Sequence, residues 1–315
     1  MTWLNDFIWK RKQQLRFKRS RLQEAVLYMR RNNPKYLIIQ YDDSMSSGWT
    51  VWERVVLYNC IYAEDHGMIP VVDMQSRWNI YLEADEVGKT NAWEKYYEQP
   101  GGVSLQEALE SKSYVKCDPS MYWFIYIRRR KSALSDNEYM RKAYNKYIHY
   151  NKVTQKRLDS CWNRLIADAG LNGGSRLMGV CVRGSDYKQI HHMMQPSIEG
   201  VKEVVSNNFS KYHCKALFLA TEDAEVLEDM KKSFPDYKML NYKAGEVKST
   251  DDYIGKCIRK NKTADEAAFD YLMVLSGLNR CDCLVGGLCG ATIVAKYKRE
   301  TPYDYINIID LKSFY

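Results

Sequence analysis

The sequence predicts an α/β fold built on parallel sheets, and three segments predict it. Each is a short apolar run that passes through polar or glycine-rich residues into an amphipathic stretch. Leu177–Val182 leads into Arg183-Gly184-Ser185-Asp186, Lys215–Ala220 into Thr221-Glu222-Asp223, and Cys283–Val285 into Gly286–Thr292. Apolar runs of this length, bounded by turn residues, read as strands buried on both faces, as parallel sheets require. The amino half shows the same alternation. Tyr36–Tyr41 reads as a strand, 42–48 as a turn-rich loop, Trp49–Gly67 as a helix and Ile69–Asp73 as the next strand. A strand–helix–strand order of this kind implies parallel strands joined by a right-handed crossover.

The elements follow in order. Before Pro34, Ile8, Leu15, Leu22 and Met29 recur every seven residues, and residues 1–35 hold ten basic residues opposed only by Asp6 and Glu24, an excess equal to the net charge of +8. This is a basic amphipathic helix. One reading docks it on an anionic membrane surface. The other packs it on the body with its charges solvated. No recognised nucleic-acid-binding module accompanies the charge. In the loop after the first strand, Asp43, Ser44 and Ser46 lie at a strand's carboxyl end and are candidates to touch an acceptor, although turn chemistry explains them equally. Trp93, in an aromatic-rich run, is a candidate sugar-stacking wall or a packing residue. Tyr122–Ile127 reads as a strand, followed by a basic cluster, Arg128–Lys131, that suits an acidic acceptor or plain solvent. Glu138–Ala169 reads as largely helical and Gly170–Gly174 breaks it. The expected division therefore falls near Asn172, giving a domain of residues 1–172 and another of residues 173–315.

The carboxyl half carries the chemistry. Arg183 follows a buried strand, where open α/β sheets bind ligands, and a guanidinium fork fits phosphate oxygens. A strand-capping Arg–Asp pair is the structural alternative. Gly184 lets the backbone approach a ligand. Thr221 is expected to cap the helix Ala224–Phe234, with Glu222 and Asp223 favouring its positive end. The same hydroxyl and carboxylates can read a base or ribose. The Gly286–Thr292 turn exposes backbone N–H groups at a helix start, a setting for an anion; close packing needs glycine too. Neither GxGxxG nor GxxxxGK[ST] is present, so neither a dinucleotide fold nor a P-loop is indicated. His191 and His192, two of five histidines, can take a proton from an acceptor hydroxyl or stand as exposed loop residues. Pro196 is expected to open the next helix.

Composition narrows the class. At 315 residues and 45% apolar content the chain supports two cored domains, and no run approaches a membrane span. No secretory leader is evident. Nine scattered cysteines, several inside apolar strands, indicate reduced thiols and a cytoplasmic setting. Cys281-Asp-Cys283 is not a zinc spacing, and Asp42-Asp43 and Asp251-Asp252 read as loop carboxylates, so a metal-independent mechanism fits.

The run VRGSDY, then FLATED, then CDCLVGG followed by GATIVAKY resembles the three motifs of the fucosyltransferase superfamily with the GT-B fold, which includes α1,6-, nodulation and protein O-fucosyltransferases. A bacterial branch found with capsule and surface-polysaccharide genes is most similar; it tends to carry a W-E-x-Y-F-E-Q-P run, matched by Trp93–Pro100. The resemblance spans roughly Tyr36 to Tyr315. It implies two Rossmann-like domains with parallel sheets facing across a cleft, and an inverting transfer of fucose from GDP-fucose to a glycan acceptor, with no cofactor beyond the GDP-sugar donor. Arg183 matches the arginine that contacts the donor diphosphate and Asp186 the acidic residue of the same motif. Gly184, Thr221, Glu222 and Asp223 fall near the nucleotide. Gly287, Cys289, Gly290, Ala291 and Thr292 fall in the motif that holds the diphosphate. Where many relatives carry serines in that motif, this chain has Cys289 and Gly290. Two other readings stay open: a different nucleotide-sugar donor, and a non-catalytic nucleotide- or glycan-binding protein.

Overall fold

A computed structural model describes residues 34–41, 47–117, 137–184, 195–243, 259 and 261–311. The chain divides into two compact units. One holds the described part of residues 1–43 with Trp52–Trp78 and Val87–His149; the other holds the described part of 44–51 with Asn79–Glu86 and Tyr150–Tyr315. The basic amino-terminal segment, Tyr122–Ile127 and Arg128–Lys131 lie outside the described residues.

The first unit carries β1 (Tyr36–Ile39), most of α1 (Trp49–Asp65), β2 (Ile69–Val72), α2 (Ala92–Tyr96), α3 (Leu105–Glu110), β3 (Tyr114–Lys116) and α4 (Asn137–Tyr147). Its described strands form a parallel sheet in the order β2-β1-β3, with Tyr36 opposite both Ile69 and Tyr114. All four residues of the central β1 are buried, as its uninterrupted apolar sequence requires. Glu64 of α1 accepts bonds from Tyr147 Oη at 2.6 Å and Lys146 Nζ at 2.5 Å, which tie α4 to α1.

The run Asn91–Pro100 serves the end of β2. Asn91 Oδ1 accepts from the amides of Met74 and Trp93, and its Nδ2 donates to the Val72 carbonyl at 2.8 Å. The Gln99 carboxamide accepts from Val72 N at 2.7 Å and donates to Val72 O at 2.9 Å, so a side chain does the work of a neighbouring strand. Trp93 is fully buried. It stacks on Tyr97 at 4.2 Å and donates from Nε1 to the Glu98 carbonyl. No face of this ring is open for a sugar to stack on, and the packing reading of Trp93 replaces the acceptor one.

The second unit carries α5 (Lys152–Asp168), β4 (Leu177–Cys181), α6 (Ile198–Phe209), β5 (Ala216–Ala220), α7 (Ala224–Ser233), β6 (Lys238–Asn241), α8 (Ala264–Arg280), β7 (Cys283–Gly287), α9 (Gly290–Lys298) and β8 (Tyr305–Ile309). All five strands are parallel, in the order β6-β5-β4-β7-β8. Met178, Val180, Leu217, Leu219 and Val285 pack in one buried cluster with Val201, Val205 and Phe209 of α6 and Val226 and Met230 of α7. Alternate strand residues serve the opposite face, where Phe218 meets Trp162 of α5 and the bare Cα of Gly277 in α8.

The helical stretch expected over 138–169 is two helices, α4 and α5, and Asn151 caps the second by accepting from Thr154 N. The second compact unit resumes at Tyr150, and α5 packs on its sheet. Trp162 edges onto Phe218, Asp159 pairs with Arg280, and Arg157 pairs with Asp265 at 3.0 Å.

Asn91→Ala removes three buried hydrogen bonds at the end of β2 and is expected to cost about 2–4 kcal/mol. Urea denaturation followed by tryptophan fluorescence measures the loss; a midpoint equal to that of the parent chain would refute the clamp.

Candidate functional site

In the second unit the chain begins at β4, runs outward through β5 and β6, and then returns to the other side of β4 to lay down β7 and β8. The strand order therefore reverses between β4 and β7, the point at which open α/β sheets leave a crevice at their carboxyl ends. Cys181 lies opposite Gly286, so Arg183 leaves β4 beside the place where β7 turns into α9.

The guanidinium is held by its neighbour strand. Arg183 Nη1 lies 3.5 Å from Glu222 Oε2, and the other Glu222 oxygen accepts the Gly184 N–H at 3.0 Å. The side chains are 17% and 12% exposed. Glu222 thus joins the end of β5 to the turn after β4 and pairs with the arginine. A charge this far from bulk water needs such a partner, since desolvation without one is costly.

The helix after β5 is capped by Asp223 rather than Thr221. Asp223 is almost wholly buried, and its Oδ1 accepts from the amides of Glu225 and Val226 at 2.9 and 3.4 Å. Thr221 sits two residues too early; its Oγ1 accepts from Asp223 N and shapes the approach. Asp223 also explains Gly184. A Cβ at Gly184 would lie 2.1 Å from Asp223 Oδ2, so the glycine makes room for the buried carboxylate, where the sequence suggested room for a ligand.

The turn from β7 into α9 is held from within. Thr292 Oγ1 accepts from Cys289 N at 3.0 Å and donates to the Gly287 carbonyl at 2.9 Å, so its hydroxyl is committed to the backbone. Gln195 Nε2 donates to the Leu288 carbonyl, and its side chain occupies the space a Cβ at Gly287 would need. Cys289 is buried with its sulfur 3.8 Å from that of Cys181. The Cys181 thiol draws Cys289 below the ordinary thiol range, with Thr292 and Arg183 acting in the same direction against burial; Cys181 is pushed up in turn. These internal bonds leave the first amides of α9, at Gly290 and Ala291, as the groups with which the turn can meet an anion.

The first turn of α1 belongs to this unit as well. Trp49 stacks on Tyr81 with ring centroids 3.9 Å apart and donates from Nε1 to the Ala268 carbonyl. Glu83 accepts from Arg259 and from the Ala264 amide at the start of α8. The next residue, Thr50, meets Tyr271 Oη at 3.2 Å and presses against Gly290. At the end of β6, Tyr242, Lys243 and Lys262 close on Asp270.

The structure thus brings Arg183, Gly184, Glu222 and Asp223 together at the ends of β4 and β5, and sets Gly287, Cys289, Gly290, Ala291 and Thr292 in the turn after β7. Asp186, His191, His192, Asp43, Ser44 and Ser46 lie outside the described residues. Pro196 precedes its helix by two positions; Ser197 is the cap of α6. Sequence reasoning missed Thr50, Tyr271 and Gln195. No local pattern marks them, because tertiary packing delivers all three. Among the described residues, no group of three or more His, Cys, Asp or Glu is placed to hold a metal ion, and no helix is long and apolar enough to cross a membrane. Gly184→Ala is expected to destabilise the chain by about 2–4 kcal/mol through its clash with Asp223. Gly173→Ala, where a Cβ meets nothing within 4 Å, is expected to be close to neutral. Thermal unfolding of the two variants side by side checks both, and equal midpoints would remove the packing role assigned to Gly184.

No protein-family model and no curated protein matches the chain. Solved structures do. The chain is similar to the fucosyltransferase NodZ from Bradyrhizobium, with 15% identity over 88% of this chain and 95% of that one and a TM-score of 0.52. It is similar to NodZ α1,6-fucosyltransferase co-crystallised with GDP, at 15% identity, 84% and 93% coverage and a TM-score of 0.49. POFUT1 in complex with GDP matches at 10% identity, 87% and 73% coverage and a TM-score of 0.35. The likeness to the Bradyrhizobium protein is one of fold, and the α/β, GT-B-type class expected from the sequence holds.

Proposed function

We propose that the chain is a glycosyltransferase that takes its sugar from a nucleotide donor, with GDP-fucose the donor implied by the motif resemblance. The observation that carries this reading is the position of Arg183. It stands at the carboxyl end of β4, where the strand order reverses, and β7, the strand paired with β4 there, leads directly into the turn that opens α9. The fold, shared with a fucosyltransferase, supports it.

The chemistry follows from the leaving group. When an acceptor hydroxyl attacks the anomeric carbon, the bond from that carbon to the diphosphate oxygen breaks and its electron pair stays on the diphosphate. Negative charge grows there, and the guanidinium and the α9 amides are preorganised to meet it. Attack from the face opposite the diphosphate inverts the anomeric centre. The acceptor proton goes to a base, for which His191, His192 and Asp186 are the candidates from the sequence. The charge that develops is carried by the protein's own donors in this reading, without a metal. The acceptor in this proposal is a glycan of surface-polysaccharide synthesis, lipid-linked where the basic amino-terminal segment meets a membrane.

Thermal-shift screening with GDP, UDP and dTDP tests the donor class, since a ligand that binds the native state alone raises its unfolding temperature. A rise with GDP alone is the expected result. Arg183→Ala is expected to abolish that rise and to lower transfer by about 10²–10³-fold. Arg183→Lys keeps the charge but loses the fork and should fall between the two. Circular dichroism unchanged from the parent shows that the fold survives. Full turnover in Arg183→Ala would end the assignment, and GDP binding without transfer to any glycan would favour a binding protein on this scaffold.

A further inference from the structure

Gly290 and Thr50 share one small volume. A Cβ at Gly290 would lie 2.4 Å from Thr50 Oγ1 and 2.9 Å from Thr50 Cβ. The threonine hydroxyl therefore stands about where the side chain of a serine at position 290 would begin. Thr50 is 5% exposed, and it is held there by its own surroundings. Trp49 is anchored by Tyr81 and the Ala268 carbonyl, and Tyr271 Oη lies 3.2 Å from Thr50 Oγ1.

Either hydroxyl of the pair can donate to the other. Burial pushes the Tyr271 phenol up from its ordinary value, against the pull of Arg183 and the Thr50 bond. When Tyr271 donates to Thr50 Oγ1, the Thr50 proton is left for another acceptor. The turn itself offers no comparable group: the Thr292 hydroxyl donates to the Gly287 carbonyl, and the Cys289 thiol is packed against Cys181.

We propose that Thr50, oriented by Tyr271, supplies the side-chain hydroxyl of the diphosphate-binding turn in the space that Gly290 leaves open. The inference rests on the glycosyl-donor reading above and deepens it. The opening residues of α1, which belong to the second unit, then complete the donor site. Gly290 is glycine because a hydroxyl from elsewhere takes the room. Tyr271 is a positioning residue that acts through Thr50.

The test is a reciprocal exchange in the full chain, read by calorimetric titration with GDP and, to isolate the diphosphate, with inorganic pyrophosphate. Thr50→Val keeps the side-chain volume and loses the hydroxyl; it is expected to weaken both ligands about tenfold. Thr50→Ser keeps the hydroxyl and should retain most of the binding that Thr50→Val loses. Tyr271→Phe should weaken binding by a smaller factor, and Thr50→Ser should not rescue it. Thr50→Gly removes both atoms that a Cβ at position 290 would meet and should bind weakly, and Thr50→Gly with Gly290→Ser should recover most of the loss, because the new serine fills the vacated position. Parent-like affinity in Thr50→Val would overturn the proposal. So would a double variant, folded by circular dichroism, that binds no better than Thr50→Gly alone. If the parent chain binds neither GDP nor pyrophosphate, the donor reading itself fails and this inference falls with it.

Discussion

The pairing of β4 with β7 is the constraint on which the rest of the site depends. Both strands are buried on both faces, and their register sets Cys181 opposite Gly286. A slip of one residue would turn Met178 and Val180 away from α6 and α7 and would drive other side chains into the space they fill. It would also move Arg183 by one position relative to the start of α9. The apolar packing of the sheet and the placement of a guanidinium beside helix amides are therefore one requirement. Parallel register is specified by burial here, and the polar groups at the strand ends inherit their positions from it.

How much of this the sequence showed depends on where each residue's partners come from. β4, β5 and β7 were legible because they are continuous apolar runs with turn residues after them. β6 and β8 were not: they are the outer strands of their sheet, and Lys238, Asn241, the exposed Ile306 and the half-buried Asn307 dilute the apolar signal. The split between α4 and α5 was written in Asn151, but no glycine or proline marked it. At the end of β5, Thr221 and Asp223 are both good caps. The choice fell to Asp223 because the strand continues through Ala220 and two residues are needed to turn. Arg183 and Glu222 could be read from their places at strand ends. Thr50 could not, since it looks like any polar residue on an amphipathic helix until Trp49 is seated against α8.

The glycines of the site make the same point from another side. In the sequence, Gly184, Gly287 and Gly290 suggested backbone open to a ligand. In the fold each gives way to a side chain from a distant segment: Asp223, Gln195 and Thr50. A glycine-rich turn is commonly taken as mobile, yet here the missing Cβ atoms are what let three segments close on one another. Polar groups so packed lose little freedom when a ligand arrives, and that lowers the entropic cost of binding. The aromatic-rich run after β2 obeys the same logic in the first unit, where Asn91 and Gln99 spend their amides on Val72 and Trp93 is stacked out of reach.

Glu222 shows why such closure matters for the charge itself. An arginine on a long stem can adopt many conformations, and a phosphate site needs one of them. Glu222 is anchored by the Gly184 amide on one oxygen, and its second oxygen lies 3.5 Å from the guanidinium. That is long for a charge-assisted hydrogen bond, for which 2.7–2.9 Å is typical. The carboxylate therefore directs the arginine and offsets part of its desolvation while holding it less tightly than a close ion pair would. A dianionic ligand brings more charge than one carboxylate and can draw on the α9 amides as well, so it competes for the fork on favourable terms. Removing Glu222 would leave a stronger local field and a less ordered arginine, two effects of opposite sign on anion binding. The placement of the pair favours order over raw field strength.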